Sequence, residues 1–136
     1  MRTEKKHKLK QLRQWRIRNK LSGTKERPRM SVCFTNENIH VQFIDDHAGV
    51  TLAAVSTTSK ATPDRDKLAA NVAGARVVGK LAAETALAKG IKAVVFDRGN
   101  ARYHRSEGKG KDGKPVLALG KLATLAEAAR AAGLKF

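Results

Sequence analysis

"MSVCFTNENIHVQFIDDHAGVTLAAVST" (Met30 to Thr57) decides the fold. In its first six residues Met30, Val32 and Phe34 alternate with Ser31, Cys33 and Thr35, the period of a strand with one face buried. "NEN" (Glu37 flanked by Asn36 and Asn38) turns the chain, and Ile39, Val41 and Phe43 then alternate again. Asp45, Asp46 and Gly49 mark a second turn, and "VTLAAVST" (Val50 to Thr57) reads as a third strand. Strands this close in sequence pair as an antiparallel meander.

Downstream, polar residues around Pro63 break the pattern, and Asp64 or Asp66 is expected to cap a long helix over about residues 65–89. Its apolar positions are mostly Ala with Leu68, Val72, Val77, Val78 and Leu81, small enough for close packing on a sheet. Arg76, Lys80 and Glu84 recur at spacings of four and mark its solvated side. "AKGIK" places Gly90 at the left-handed position after the helix and Ile91 at the apolar contact that follows. "KAVVFD" (Lys92 to Asp97) is a short strand, expected to join the sheet parallel to a neighbour. A last helix covers roughly 122–132 and stops at the same signal, Gly133 and Leu134. The fold class is α+β, a mixed α/β sandwich: a three-strand antiparallel meander, a long helix, one further parallel strand and a C-terminal helix. Residues 1–29 read as a basic arm and linker, and residues 30–136 as one globular domain carrying a basic loop insertion at 105–119.

Charge is segregated along the chain. The total is +16 in 136 residues, with net +10 in residues 1–29, zero in 30–97, and +5 in 98–121. A neutral body with two basic segments is the electrostatic footprint of a polyanion binder. "KKHKLKQLRQWRIRNK" (Lys5 to Lys20) contains no acidic residue and reads as an arm that becomes helical on binding. Trp15 in its middle either stacks on a base or staples the arm to the body. The stretch "LSGTKERPR" (Leu21 to Arg29) is a linker, broken by Gly23 and Pro28. In "RSEGKGKDGKPVLAL" (Arg105 to Leu119) only the return limb has strand character, so it reads as a mobile loop tethered by Val116 to Leu119, with "KDGK" as the one plausible tip of a finger. Its charge points to a secondary phosphate contact.

Other function classes find little support. Cys33 is the single cysteine, so no internal disulfide forms and a reduced, cytoplasmic setting is expected. No apolar run approaches the roughly 18 residues of a membrane span. The basic start lacks the apolar stretch of a secretory signal, and its lysine-rich, serine-poor composition is unlike a mitochondrial transit peptide. "GKGKDGKP" (Gly108 to Pro115) has the glycine spacing of a phosphate loop, but Pro115 stands where a Mg²⁺-binding hydroxyl is required. His7, His40, His47 and His104 with one cysteine make no zinc set. Asp45, Asp97 and Asp64 or Asp66 read as turn and cap residues, against a metal-dependent nuclease site. No catalytic residue, metal or cofactor is expected. A sequence-blind nucleic-acid compactor is the other alternative.

The pieces together resemble the bacterial large-subunit ribosomal protein eighteen family, which binds 5S ribosomal RNA. The likeness is carried by "RIRNKLSGTKERPRMSV" (Arg16 to Val32), "IHVQFIDD" (Ile39 to Asp46), "TLAAVST", Val78–Gly79, "KGI" (Lys89 to Ile91), "VVFDRG" (Val94 to Gly99), Tyr103–His104 and "LAEAARAAGLKF" (Leu125 to Phe136). It implies a non-catalytic component of the large subunit that holds 5S rRNA, helps seat it on 23S rRNA and lies beside the other 5S-binding ribosomal protein. Carried over to matching positions, Arg13, Arg16, Arg18 and Lys20 would be arm contacts to phosphates, and Arg27 and Arg29 would clamp the junction; Trp15 joins the RNA-binding candidates through a ring that can stack on a base. Thr35 and Asn36 would contact RNA from the first hairpin turn; Arg98, Arg102, Tyr103 and His104 from the loop after the last strand; and Lys121 from the start of the final helix. Two departures stand out: Phe34 and Glu37 replace residues that are usually basic, and 105–119 intervenes before Gly120–Lys121.

Overall fold

The computed structural model describes residues 2–136. Strands β1 (Arg29–Phe34), β2 (Ile39–Asp45) and β3 (Val50–Ser56) form the antiparallel meander, and β4 (Val95–Asp97) adds beside β1 in parallel, giving the order β3-β2-β1-β4. Ahead of the sheet lies α1 (Thr3–Arg18); α2 (Val72–Ala88) precedes β4, and α3 (Lys121–Ala131) closes the chain. The alternation in the sequence sets the two faces. Met30, Val32, Ile39, Val41, Phe43, Ala53 and Val55 point inward, under α2 and α3.

Alanine and glycine make α2 thin enough to sit on the sheet and against α3 at once. It buries Gly74, Ala75, Val78, Gly79, Ala82, Ala83 and Ala86. A Cβ on Gly79 would collide with the Leu125 carbonyl of α3, so this crossing requires glycine. Both helices end as expected. Gly90 and Gly133 have φ of 78° and 105°, and Ile91 and Leu134 donate back to the carbonyls of Ala86 and Ala129 at 2.9 and 3.2 Å.

Two expectations need correction. The helix begins at Val72, not residue 65, and Asn71 caps it by accepting from the Gly74 amide at 2.8 Å. Residues Arg65–Lys67 make only a 3-10 turn after Asp64, whose φ is 52°, and Leu68 is extended. The local sequence permits helix throughout, but the chain must stay extended there to bring Ala70 into the core. Second, residues 105–119 are not a loop but a hairpin, β5 (Arg105–Lys109) paired with β6 (Pro115–Leu119). The glycine-rich limb has little strand propensity of its own; register with the apolar limb supplies it, and Gly110 lets that backbone approach the Val116 side chain. Residues 3–18 form α1. Good helix formers, Glu4 in the first turn and Arg16 and Arg18 in the last agree with the helix dipole, and no side chain of α1 is buried.

Candidate nucleic-acid interface

The face of the sheet opposite α2 and α3 carries Ser31, Cys33 and Gln42, and α1 lies along it. Lys10, Gln14 and Arg18, spaced by one helical turn, border a groove of about 510 Å³ whose other wall is Ser31, Cys33, Phe34, Gln42 and the Asp97–Ala101 segment. Around the corner a second cleft of about 290 Å³ is lined by Arg13, Arg16 and Ile17 of α1 and by Arg98 to Arg102 of the loop after β4. Segments some 80 residues apart in sequence thus bring Arg13, Arg16, Arg98 and Arg102 around one opening. Among the described residues, none of these four takes part in an ion pair. Four unneutralised guanidinium groups around one cleft repel one another, and a polyanion removes that repulsion.

Arg29 has a different environment. It is 7% exposed at the head of β1. Its Nε and Nη2 donate to the two carboxylate oxygens of Asp46 at 2.9 and 3.0 Å, and Nη1 donates to Asp97 Oδ2 at 2.9 Å. The Asp46 carboxylate is held below its usual pKa by these bonds from Arg29, despite partial burial, and the Arg29 guanidinium is raised further by Asp46. Burial and two carboxylates thus engage the guanidinium of Arg29, expected at the junction, within the protein. The same knot sets both walls of the interface. Asp46 accepts from the Gly23 amide at 2.8 Å and its own amide donates to the Gly23 carbonyl at 3.0 Å, pinning the linker from α1. A side chain at Gly23 would strike the Arg29 amide and the Ile44 carbonyl. Asp97 accepts from the Gly99 amide at 2.9 Å, fixing the turn that presents Arg98.

The remaining sequence-derived candidates fall into two groups. Lys20, Asn36, Arg98, Arg102, His104 and Lys121 are exposed. Trp15 is 53% exposed and lies outside the hydrophobic core, so its ring is open to solvent rather than stapled to the body. Arg27 is exposed, with Nε donating to the Val94 carbonyl at 3.3 Å. Thr35 spends its hydroxyl inside the first hairpin turn, donating to the Asn38 carbonyl and accepting from the Asn38 amide. Tyr103 is half-buried; its hydroxyl donates to Glu127 Oε1 at 2.9 Å, tying the loop to α3. Lys10 and Gln14 were not singled out from the sequence; their i, i+4 spacing with Arg18 was the signal that placed them on one side of α1. Asp45 accepts from the His47 and Ala48 amides as a turn residue, and among the described residues no group of three or more His, Cys, Asp or Glu is placed to hold a metal ion. No described helix is long and apolar enough to cross a membrane.

Residues 4–109 match the protein family described as Ribosomal L18 of archaea, bacteria, mitochondria and chloroplast. The chain belongs to this family. It is a ribosomal protein of the large subunit, an rRNA-binding structural component of the translation machinery. The matched region of this L18-family chain includes both walls of the arginine cleft and ends at Lys109, the last residue of β5. The return strand β6 and helix α3 lie beyond it.

Proposed function

We infer that this L18-family protein binds 5S rRNA and helps attach it to 23S rRNA, beside the other 5S-binding protein of the large subunit. The observation that carries the reading is the convergence of Arg13, Arg16, Arg98 and Arg102 on one cleft next to an open sheet face. Arginine presents planar donor pairs matched to phosphate oxygens, and each phosphate neutralised releases condensed counterions. The α1 arm supplies most of this charge; the sheet groove, with Ser31, Gln42 and Asn100, offers uncharged donors and acceptors for sugar and base edges. Trp15, Lys20, Arg27, Asn36, His104 and Lys121 are exposed and serve as further contacts. Arg29 serves indirectly, by holding the walls in register.

The test compares affinity for 5S rRNA with affinity for duplex DNA of equal length at moderate salt. Clear preference for 5S rRNA is expected, and co-sedimentation with the large subunit in a lysate. Equal binding to both would mean nonspecific compaction of nucleic acid.

A further inference from the structure

The hairpin of β5 and β6 is unlike the rest of the molecule. Every residue from Arg105 to Ala118 except Gly110 is exposed, and only its base is held: the Gly120 amide donates to the His104 carbonyl at 2.8 Å, and Leu119 borders the crevice between α2 and α3. A solitary two-stranded ribbon is marginally stable in water, so a structure of this kind is expected to rest on a partner. Its tip is the five-residue connection 110–114, in which the Gly113 amide donates to the Gly110 carbonyl at 3.0 Å with Gly113 at φ 71°. That geometry gathers Lys109, Lys111 and Lys114 at the far end against one acidic residue, Asp112. Five residues of strand carry this end roughly 16 Å from the base.

We propose that this hairpin is a second RNA-contacting element, whose lysine tip grips a stretch of rRNA backbone separate from the one held at the arginine cleft. The proposal rests on the 5S rRNA reading above and adds a contact outside it, to the 23S rRNA surroundings. Charge favours RNA over a protein partner. Exposed Val116 and Leu117, 51% and 46% accessible, project to opposite faces, so neither side offers the contiguous apolar centre that protein interfaces use. Lysines on a projecting turn act as mobile point charges suited to phosphates without base reading. The hairpin springs from the α2–α3 side, whereas α1 covers the opposite face, so one straight RNA segment does not serve both.

The full-length chain is compared with two variants that leave the core untouched: Lys109→Gln/Lys111→Gln/Lys114→Gln, and Val116→Ser/Leu117→Ser. Each is titrated with isolated 5S rRNA and with large subunits stripped of this protein, across a range of salt. For the lysine variant the expected result is 5S rRNA affinity within about two-fold of the parent, with the log–log salt slope on subunits lowered by roughly 2 to 3. An unchanged slope on subunits overturns the proposal, as does an equal loss on isolated 5S rRNA, which would put the hairpin in the primary site. Weakened subunit binding in the serine variant alone also overturns it, and points to a protein partner. Failure of the parent itself to bind 5S rRNA would refute the reading of the cleft while leaving the subunit slope to decide the hairpin.

Discussion

Arg29 and the arginines of the cleft are neighbours with opposite fates. Arg29 is buried and bonded to two carboxylates; Arg13, Arg16, Arg98 and Arg102 surround an opening with no described ion pair. The residue type is the same, and Arg13, Arg16 and Arg29 belong to one linear stretch that runs from α1 into β1. The difference lies in countercharge and solvent. A guanidinium that folding desolvates must find carboxylates within the protein, whereas one left at the surface keeps its donors for a ligand. A basic segment therefore mixes binding residues with residues that hold the binding surface together, and the two kinds respond differently to mutation, salt and acid.

The largest expected effect separates them at once. Deleting residues 1–20 should weaken RNA binding by orders of magnitude and flatten its salt dependence by roughly 4 to 5 units, corresponding to about six phosphate contacts. Circular dichroism and thermal unfolding of the body should change little, because α1 buries no side chain. Cooperative unfolding lost with the arm would break the comparison, making α1 part of the core.

Asp97→Ala should produce the reverse pattern. It removes one of the two carboxylates bonded to the buried Arg29 guanidinium and the acceptor that holds Gly99, so stability should fall by about 1–3 kcal/mol in denaturant titrations. RNA affinity should fall less than on deletion of α1, with the salt slope nearly unchanged. A mutant as stable as the parent would show that the knot does not support the sheet.

Arg98→Gln/Arg102→Gln sharpens the contrast from the other side. Both residues are exposed, so stability should move by less than about 0.5 kcal/mol. The salt slope for 5S rRNA should drop by roughly 1.5 to 2. No change in slope would remove the loop from the RNA contact.

The smallest effect is with acid. Asp46 has a folded-state pKa below its unfolded value, so it contributes stability above the unfolded pKa and loses it as pH falls through the folded one. Stability should thus be insensitive to Asp46 near neutrality and decline below about pH 4. Asp46→Asn, less stable at pH 7, should show a shallower decline; parallel acid curves would sink the assignment.

The strands, the two glycine-ended helices and the segregated charge were legible because each depends on neighbours in sequence: period-two alternation, a left-handed position after a helix, runs of one sign. The family likeness rested on the order of such local pieces. What misled was equally local. Asp64 and Asp66 have the chemistry of caps, yet Asn71 does the capping once Ala70 enters the core. The limb Arg105 to Lys109 has no strand signal and becomes one only beside Pro115 to Leu119. The bond from the Tyr103 hydroxyl to Glu127 of α3 has no signal in the local sequence.

Sequence alone determined the meander, the glycine-marked C-terminal ends of α2 and α3 and the amount of positive charge, since alternation, glycine positions and composition are properties of the linear chain. Tertiary structure alone decided where that charge acts. Only folding brings Arg98 and Arg102 to Arg13 and Arg16, and only folding brings Asp46 and Asp97 to Arg29. The physical reason is that electrostatic energy depends on distance and solvent access through space, which spacing along the chain does not report.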